Sequence, residues 1–225
     1  MGPGKQDNTS ALAVTCPGAR GWKRSWRVPA LAALFIVAGC QRDPTEEFAV
    51  VPARPAPPWE ARRASGELFR MEDQRGRVVV LSFGYTGCPD VCPTTLHQLS
   101  SFYRRLGPRA REVEVVFVSV DPERDSAALL EDYVRAFDSR FTGLRLEGDA
   151  LAALLSAYQV TAVRRYASTT RYPDRSFTGP IPYTLDHTGA YLVIDRRGAL
   201  RLRMPYTAPV EQLQSAVERL LEERN

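Results

Sequence analysis

Histidine and cysteine are scarce in this chain of 225 residues, which holds two of the first and four of the second. Any site built on imidazole or sulfur therefore draws on very few side chains. No Gly-x-Gly-x-x-Gly follows a strand-like run, and there is no phosphate loop, His-Glu-x-x-His helix or Gly-x-Ser-x-Gly elbow. The sequence marks of dinucleotide, nucleotide, zinc-protease and serine-hydrolase chemistry are thus missing. Lysine is confined to Lys5 and Lys23, so every base beyond residue 39 is arginine. Excess charge is missing from the body as well. Residues 1–39 hold Lys5, Arg20, Lys23, Arg24 and Arg27 against Asp7, which accounts for the whole formal net charge of +4. A balanced body gives a phosphate backbone little to hold, and this argues against a nucleic-acid partner. Internal repeats and low-complexity tracts are also absent.

What is present begins with a leader. The basic stretch GWKRSWR precedes the apolar run Val28 to Gly39, whose 12 residues fall short of the roughly 20 that cross a bilayer as a helix. A cleaved export signal over residues 1–39 is expected. Val37-Ala38-Gly39-Cys40 resembles the cleavage box of bacterial lipoproteins. That resemblance implies a lipidated Cys40 at the new N-terminus, loss of Cys16 with the leader, and attachment to the outer face of a membrane in a bacterial envelope. An ordinary signal with an incidental cysteine is the alternative. Residues 40–58 are proline-rich without an apolar period and read as an extended tether. The folded domain is expected from Trp59 to Asn225, one domain by length.

Within it, RVVVLSF and VEVVFVSV are short β-branched blocks of the kind buried on both sheet faces. Between them Leu96, Leu99, Phe102, Tyr103 and Leu106 fall at helical intervals ahead of Gly107-Pro108. This predicts a β-α-β unit with parallel strands. Further helices are expected over AALLEDYVRAF, capped by Asp125 or Ser126, and from Asp149. YLVID and ALRLRM form a hairpin about Gly198, and an amphipathic helix closes the chain. The pattern describes an α/β, thioredoxin-like fold: a central mixed sheet, flanking helices, and a C-terminal hairpin plus helix.

The stretch GYTGCPDVCPTTL sets Cys88 and Cys92 four residues apart, each before a proline. Proline disfavours the helical region for the residue before it, so the helix is predicted to begin just after Cys92 with Pro93 in its first turn. Both thiols then sit at its N-terminal end, where the dipole favours thiolate. Such a pair can be a structural disulfide, a redox couple or part of a soft metal site. The first fits poorly, because so small a loop restrains little chain entropy. A metal site needs a third ligand. His97 lies about 100° round the helix from Leu96 and is expected to face solvent. His187 stands just before the strand Tyr191 to Ile194, after a long irregular stretch from Thr161. That stretch holds Arg164, Arg165, Arg171 and Arg175, a solvated surface or a docking patch for an acidic partner.

FGYTGCPDVCPT, then VSVDPERDS, then DHTGAYLVID resemble the Sco (SenC) family of copper-binding assembly factors, with the likeness spread from about Val78 to Arg224. The resemblance implies one copper ion, Cu(I) or Cu(II), on Cys88, Cys92 and His187. It also implies an acid, Asp121, supporting the site from beside it, although capping the turn into Pro122 is an alternative role. By the same resemblance the activity is that of a metallochaperone whose partner is the copper-centre subunit of cytochrome c oxidase. A thiol–disulfide oxidoreductase acting on that subunit's cysteines is the second reading; little favours a peroxidase or redox sensor. Two departures are expected to matter locally: Gly87 in place of a bulkier polar residue, and no evident apolar hairpin in WEARRASGELFRMEDQRG.

Overall fold

The β-branched blocks fold as the centre of the sheet because both of their faces are apolar. The computed structural model describes residues 46–166 and 183–223, so Cys16, Cys40, Arg171 and Arg175 lie outside the described residues. In chain order the strands are β1 (Ala49–Pro55), β2 (Glu60–Arg62), β3 (Leu68–Arg70), β4 (Val78–Gly84), β5 (Val113–Ser119), β6 (Thr142–Leu144), β7 (Ala162–Tyr166), β8 (Tyr183–His187), β9 (Ala190–Ile194) and β10 (Ala199–Pro205). The helices are α1 (Val91–Arg105), α2 (Ala127–Arg135), α3 (Gly148–Ala157) and α4 (Val210–Glu222).

Every residue of β4 and β5 is buried, and the two pair in parallel with Val80 opposite Val115. Each fully buried aliphatic side chain there contributes on the order of 1.5–3 kcal/mol. On its other side β4 pairs antiparallel with β9, β9 forms the hairpin with β10, and β6 lies parallel beyond β5. The six-stranded order is β1-β10-β9-β4-β5-β6, a mixed sheet, with α1 and α4 packed alongside each other. Helix α4 buries Leu213, Val217, Leu220 and Leu221, one stripe of an amphipathic helix.

Four expectations are corrected. Part of the stretch read as a tether is a strand: β1 pairs with β10, Ala49 opposite Leu202 and Arg54 opposite Leu200, so the fold begins ahead of Trp59. An outer strand is where proline is admissible, because Pro52 and Pro55 can turn their missing donors away from the ladder. WEARRASGELFRMEDQRG does contain a hairpin, β2–β3, whose strands have three residues each. Only Ala61 and Phe69 are buried in it, too few to leave an apolar pattern in the sequence, and Trp59 stands against the Phe69 ring at 5.3 Å. The stretch after Thr161 is not irregular throughout: Ala162–Tyr166 forms β7, antiparallel to β8. Finally, α1 starts at Val91 and takes Cys92 into its first turn. Pro93 permits this because the first amides of a helix have no partner within it, so its missing N–H costs no bond.

Candidate metal centre

The thiol side is built from the sheet outward. β4 ends at Gly84, where a Cβ would stand 2.5 Å from the Phe117 ring and 2.6 Å from Cys92 Sγ, so only glycine fits. Cys92 is buried and Cys88 half-buried; both are free thiols, and the Cys92 N–H donates to Cys88 Sγ at 3.4 Å. The loop between strand and helix is pinned by Asp125. Its fully buried carboxylate accepts from Thr86 N–H at 3.1 Å, Thr86 Oγ1 at 2.6 Å and Ser119 Oγ at 2.6 Å. Capping of α2 falls instead to Ser126, whose Oγ accepts from Leu129 N–H. Gly87 is exposed, and a Cβ there would meet nothing nearer than the Tyr85 ring at 3.7 Å, so the departure at this position leaves the packing intact.

The imidazole arrives on a separate hairpin. His187 ends β8 opposite Ala162 of β7, and its Nε2 lies 3.2 Å from Cys92 Sγ. Nδ1 lies 3.3 Å from the Thr188 carbonyl; a proton on Nδ1 leaves the Nε2 lone pair facing the sulfurs. One ligand atom each from Cys88, Cys92 and His187 falls within 4.8 Å of the others. Burial holds the His187 pKa below its ordinary value, which keeps the ring neutral. Burial, and then the hydrogen bond to Cys88, pushes the Cys92 thiol well up. For Cys92 this runs against the expectation of an eased thiolate, because the charged form is desolvated at a sulfur sealed under the loop. A cleft of about 430 Å³ opens beside the cluster, with Tyr85, Cys88, Pro89, Val91, Leu185 and His187 among its walls.

Asp121 is buried but stands outside this cluster. Its Oδ1 accepts from Tyr183 Oη at 2.6 Å and its Oδ2 from Arg124 Nε. The Arg124 guanidinium lies over the Tyr183 ring at 3.8 Å and donates to the Tyr183 carbonyl at 3.0 Å. Asp121 therefore grips the start of the strand that ends in His187. His97 is exposed on α1. Arg164 pairs with Glu123 at 2.5 Å and Arg165 with Asp186 at 2.7 Å, so at these two positions the positive charge is met by acids of the same domain. Sequence reasoning missed Tyr85, Asp125 and Tyr183. The first directly precedes the cysteine loop and the second follows the second strand, but nothing local says what either reaches.

Fold and site together define a thioredoxin-like domain with two thiols at a strand–helix junction and an imidazole brought over by a hairpin. The SCO1/SenC family profile matches residues 51–222, and the chain belongs to that family. Among curated relatives, the SCO2-like protein of Rickettsia prowazekii is 28% identical over 141 residues, covering 63% of this chain and 64% of the relative. The chain thus spans somewhat under two thirds of that relative's length. Among solved structures, copper-bound ScoI of Bradyrhizobium japonicum superposes with a TM-score of 0.63 at 30% identity, over 74% of this chain and 99% of that one. Apo Sco1 of Thermus thermophilus gives a TM-score of 0.66 at 30% identity, over 77% and 95% of the two chains.

Proposed function

We propose that this chain binds one copper ion as cargo on Cys88, Cys92 and His187 and delivers it to the copper-centre subunit of a cytochrome c oxidase. The observation that carries the reading is the convergence of two free sulfurs and a ring nitrogen within 4.8 Å of one another. Two thiols and an imidazole form a soft-to-borderline donor set that suits Cu(I) and can follow the ion to Cu(II). The half-buried Cys88 and the adjoining cleft give an incoming thiol a way to the ion while Cys92 and His187 still hold it. Transfer is then stepwise ligand exchange, with no covalent turnover. The chain would work at the outer face of a membrane, held by lipid on Cys40. Among the described residues no helix is long and apolar enough to cross one.

The test is a copper titration of the reduced chain, read by metal content and by thiolate-to-Cu(II) charge-transfer absorption. One tightly bound copper per chain, weakened by His187→Ala, is expected. Uptake unaffected by that substitution would overturn the three-ligand site.

A second reading rests on the unequal burial of the thiols. As a thiol–disulfide reductase, Cys88 thiolate would attack a target disulfide, form a mixed disulfide and release one target thiolate. Cys92 would then displace the second, leaving a Cys88–Cys92 disulfide and a reduced target. His187 has no part in that exchange. Reduction of a target disulfide at equal rates by wild type and His187→Ala, without metal, would favour it.

A further inference from the structure

Among the described residues β8 pairs only with β7, so, apart from the short run through Thr188 and Gly189 into β9, its position over the thiols depends on side chains reaching it from the body. One of these touches both halves of the site. Tyr85 is the first residue after β4 and is buried. Its carbonyl accepts from the Cys88 N–H at 3.3 Å, at the foot of the thiol loop. Its hydroxyl, at the other end of the same side chain, accepts from the Leu185 N–H at 3.1 Å, two residues before His187. Its ring stands edge-on to the imidazole, centroids 5.9 Å apart at 83°. Tyr183 is gripped through Asp121 and Arg124 further up the strand, and beyond His187 the Gly189 carbonyl accepts from the Tyr206 N–H at 3.2 Å.

We propose that Tyr85 is a positioning residue of the metal centre: through its hydroxyl it latches the His187 strand to the thiol loop and so sets the sulfur-to-imidazole spacing that copper meets. This rests on the proposed function for what the spacing serves, but the latch exists without metal. A rigid spacing lowers the ordering cost of binding, which is where a hydrogen bond distant from the ion can change affinity. Through its carbonyl and its hydroxyl, Tyr85 makes direct hydrogen bonds to the Cys88 N–H and to the Leu185 N–H of β8.

The test is Tyr85→Phe in the full chain, solubilised in detergent, which removes one oxygen and keeps the ring. Tyr103→Phe serves as the control, since Tyr103 Oη donates to the Val113 carbonyl at 2.8 Å in an equally buried place remote from the thiols. Three readouts are taken: copper affinity, the Cu(II) absorption and resonance spectra, and hydrogen exchange of the Leu185 amide in metal-free protein. Tyr85→Phe is expected to weaken copper about five-fold, the scale of one net hydrogen bond, to shift the spectra and to speed Leu185 exchange. Tyr103→Phe should lower the thermal midpoint by a similar amount and change none of the three. A wild-type chain that takes up no copper overturns the proposed function and this inference with it. A wild-type chain that binds copper while Tyr85→Phe binds it as tightly, or while Tyr103→Phe weakens it as much, overturns this inference alone.

Discussion

The two halves of the centre are held in place by different physics. Cys88 and Cys92 hang from the end of β4, all of whose residues are buried, and from a loop tied down by a fully buried carboxylate. His187 ends a hairpin whose first strand is exposed at four of five positions and whose second buries only Leu185. The thiols are set by the core of the domain. The imidazole is set by a few polar clasps, on Tyr183 and Leu185 ahead of it and on Gly189 behind it. Damage on the thiol side should therefore appear first as lost stability, and damage on the hairpin side as lost affinity in a protein that is still folded.

The sharpest break is His187→Ala, expected to weaken copper by more than about 100-fold, beyond what losing an outer partner costs. The thermal midpoint of the metal-free chain should stay close to wild type, because the hairpin contributes little to the core. Next comes Asp125→Ala. It strips partners from Thr86 and Ser119 in a buried place, and denaturant unfolding should show a loss of about 3 kcal/mol. If the unfolding free energy were unchanged and copper binding alone fell, the proposed division between the halves would be wrong. Gly84→Ala follows at about 1–3 kcal/mol, the usual cost of overpacking, because the new methyl meets both Phe117 and Cys92 Sγ.

The smallest effect is a pH dependence that belongs to the hairpin. Burial holds His187 below its ordinary pKa, so as pH falls the unfolded chain takes up the proton before the folded one does. Stability of the metal-free protein is then complete above about pH 6.5, the ordinary histidine value, and declines below it toward the folded-state pKa. Comparing urea midpoints at pH 7.5 and 5.5, wild type should lose more than His187→Gln. Equal losses would place the titration elsewhere.

The sheet's centre was legible because β4 and β5 read as β-branched runs and α1 and α4 as helical stripes, periodicities that burial imposes directly. β1 was not legible: its prolines and exposed side chains carry no apolar alternation, and only the unpaired edge of β10 makes it a strand. β2–β3 was missed for a related reason, since three-residue strands are too short for a pattern to emerge. Of the site, the cysteines and His187 were picked out by motif and by family likeness, and Asp121 by likeness alone. Tyr85 and Tyr183 look in sequence like ordinary core aromatics. Their hydroxyls acquire meaning only from the strand they reach.

The sequence by itself determined that two sulfurs would lie together at a strand–helix junction, because a spacing of four positions allows them no great separation and the flanking apolar runs fix strand and helix. It could not place His187, which is 95 residues away from Cys92 in the chain and 3.2 Å away in space. Tertiary structure decided that, through Tyr85 and Asp121, and the burial it imposes also moves the His187 pKa down and the Cys92 thiol up. Burial depends on what covers a group, and nothing adjacent to Cys92 in the chain announces that its thiol will be sealed from water.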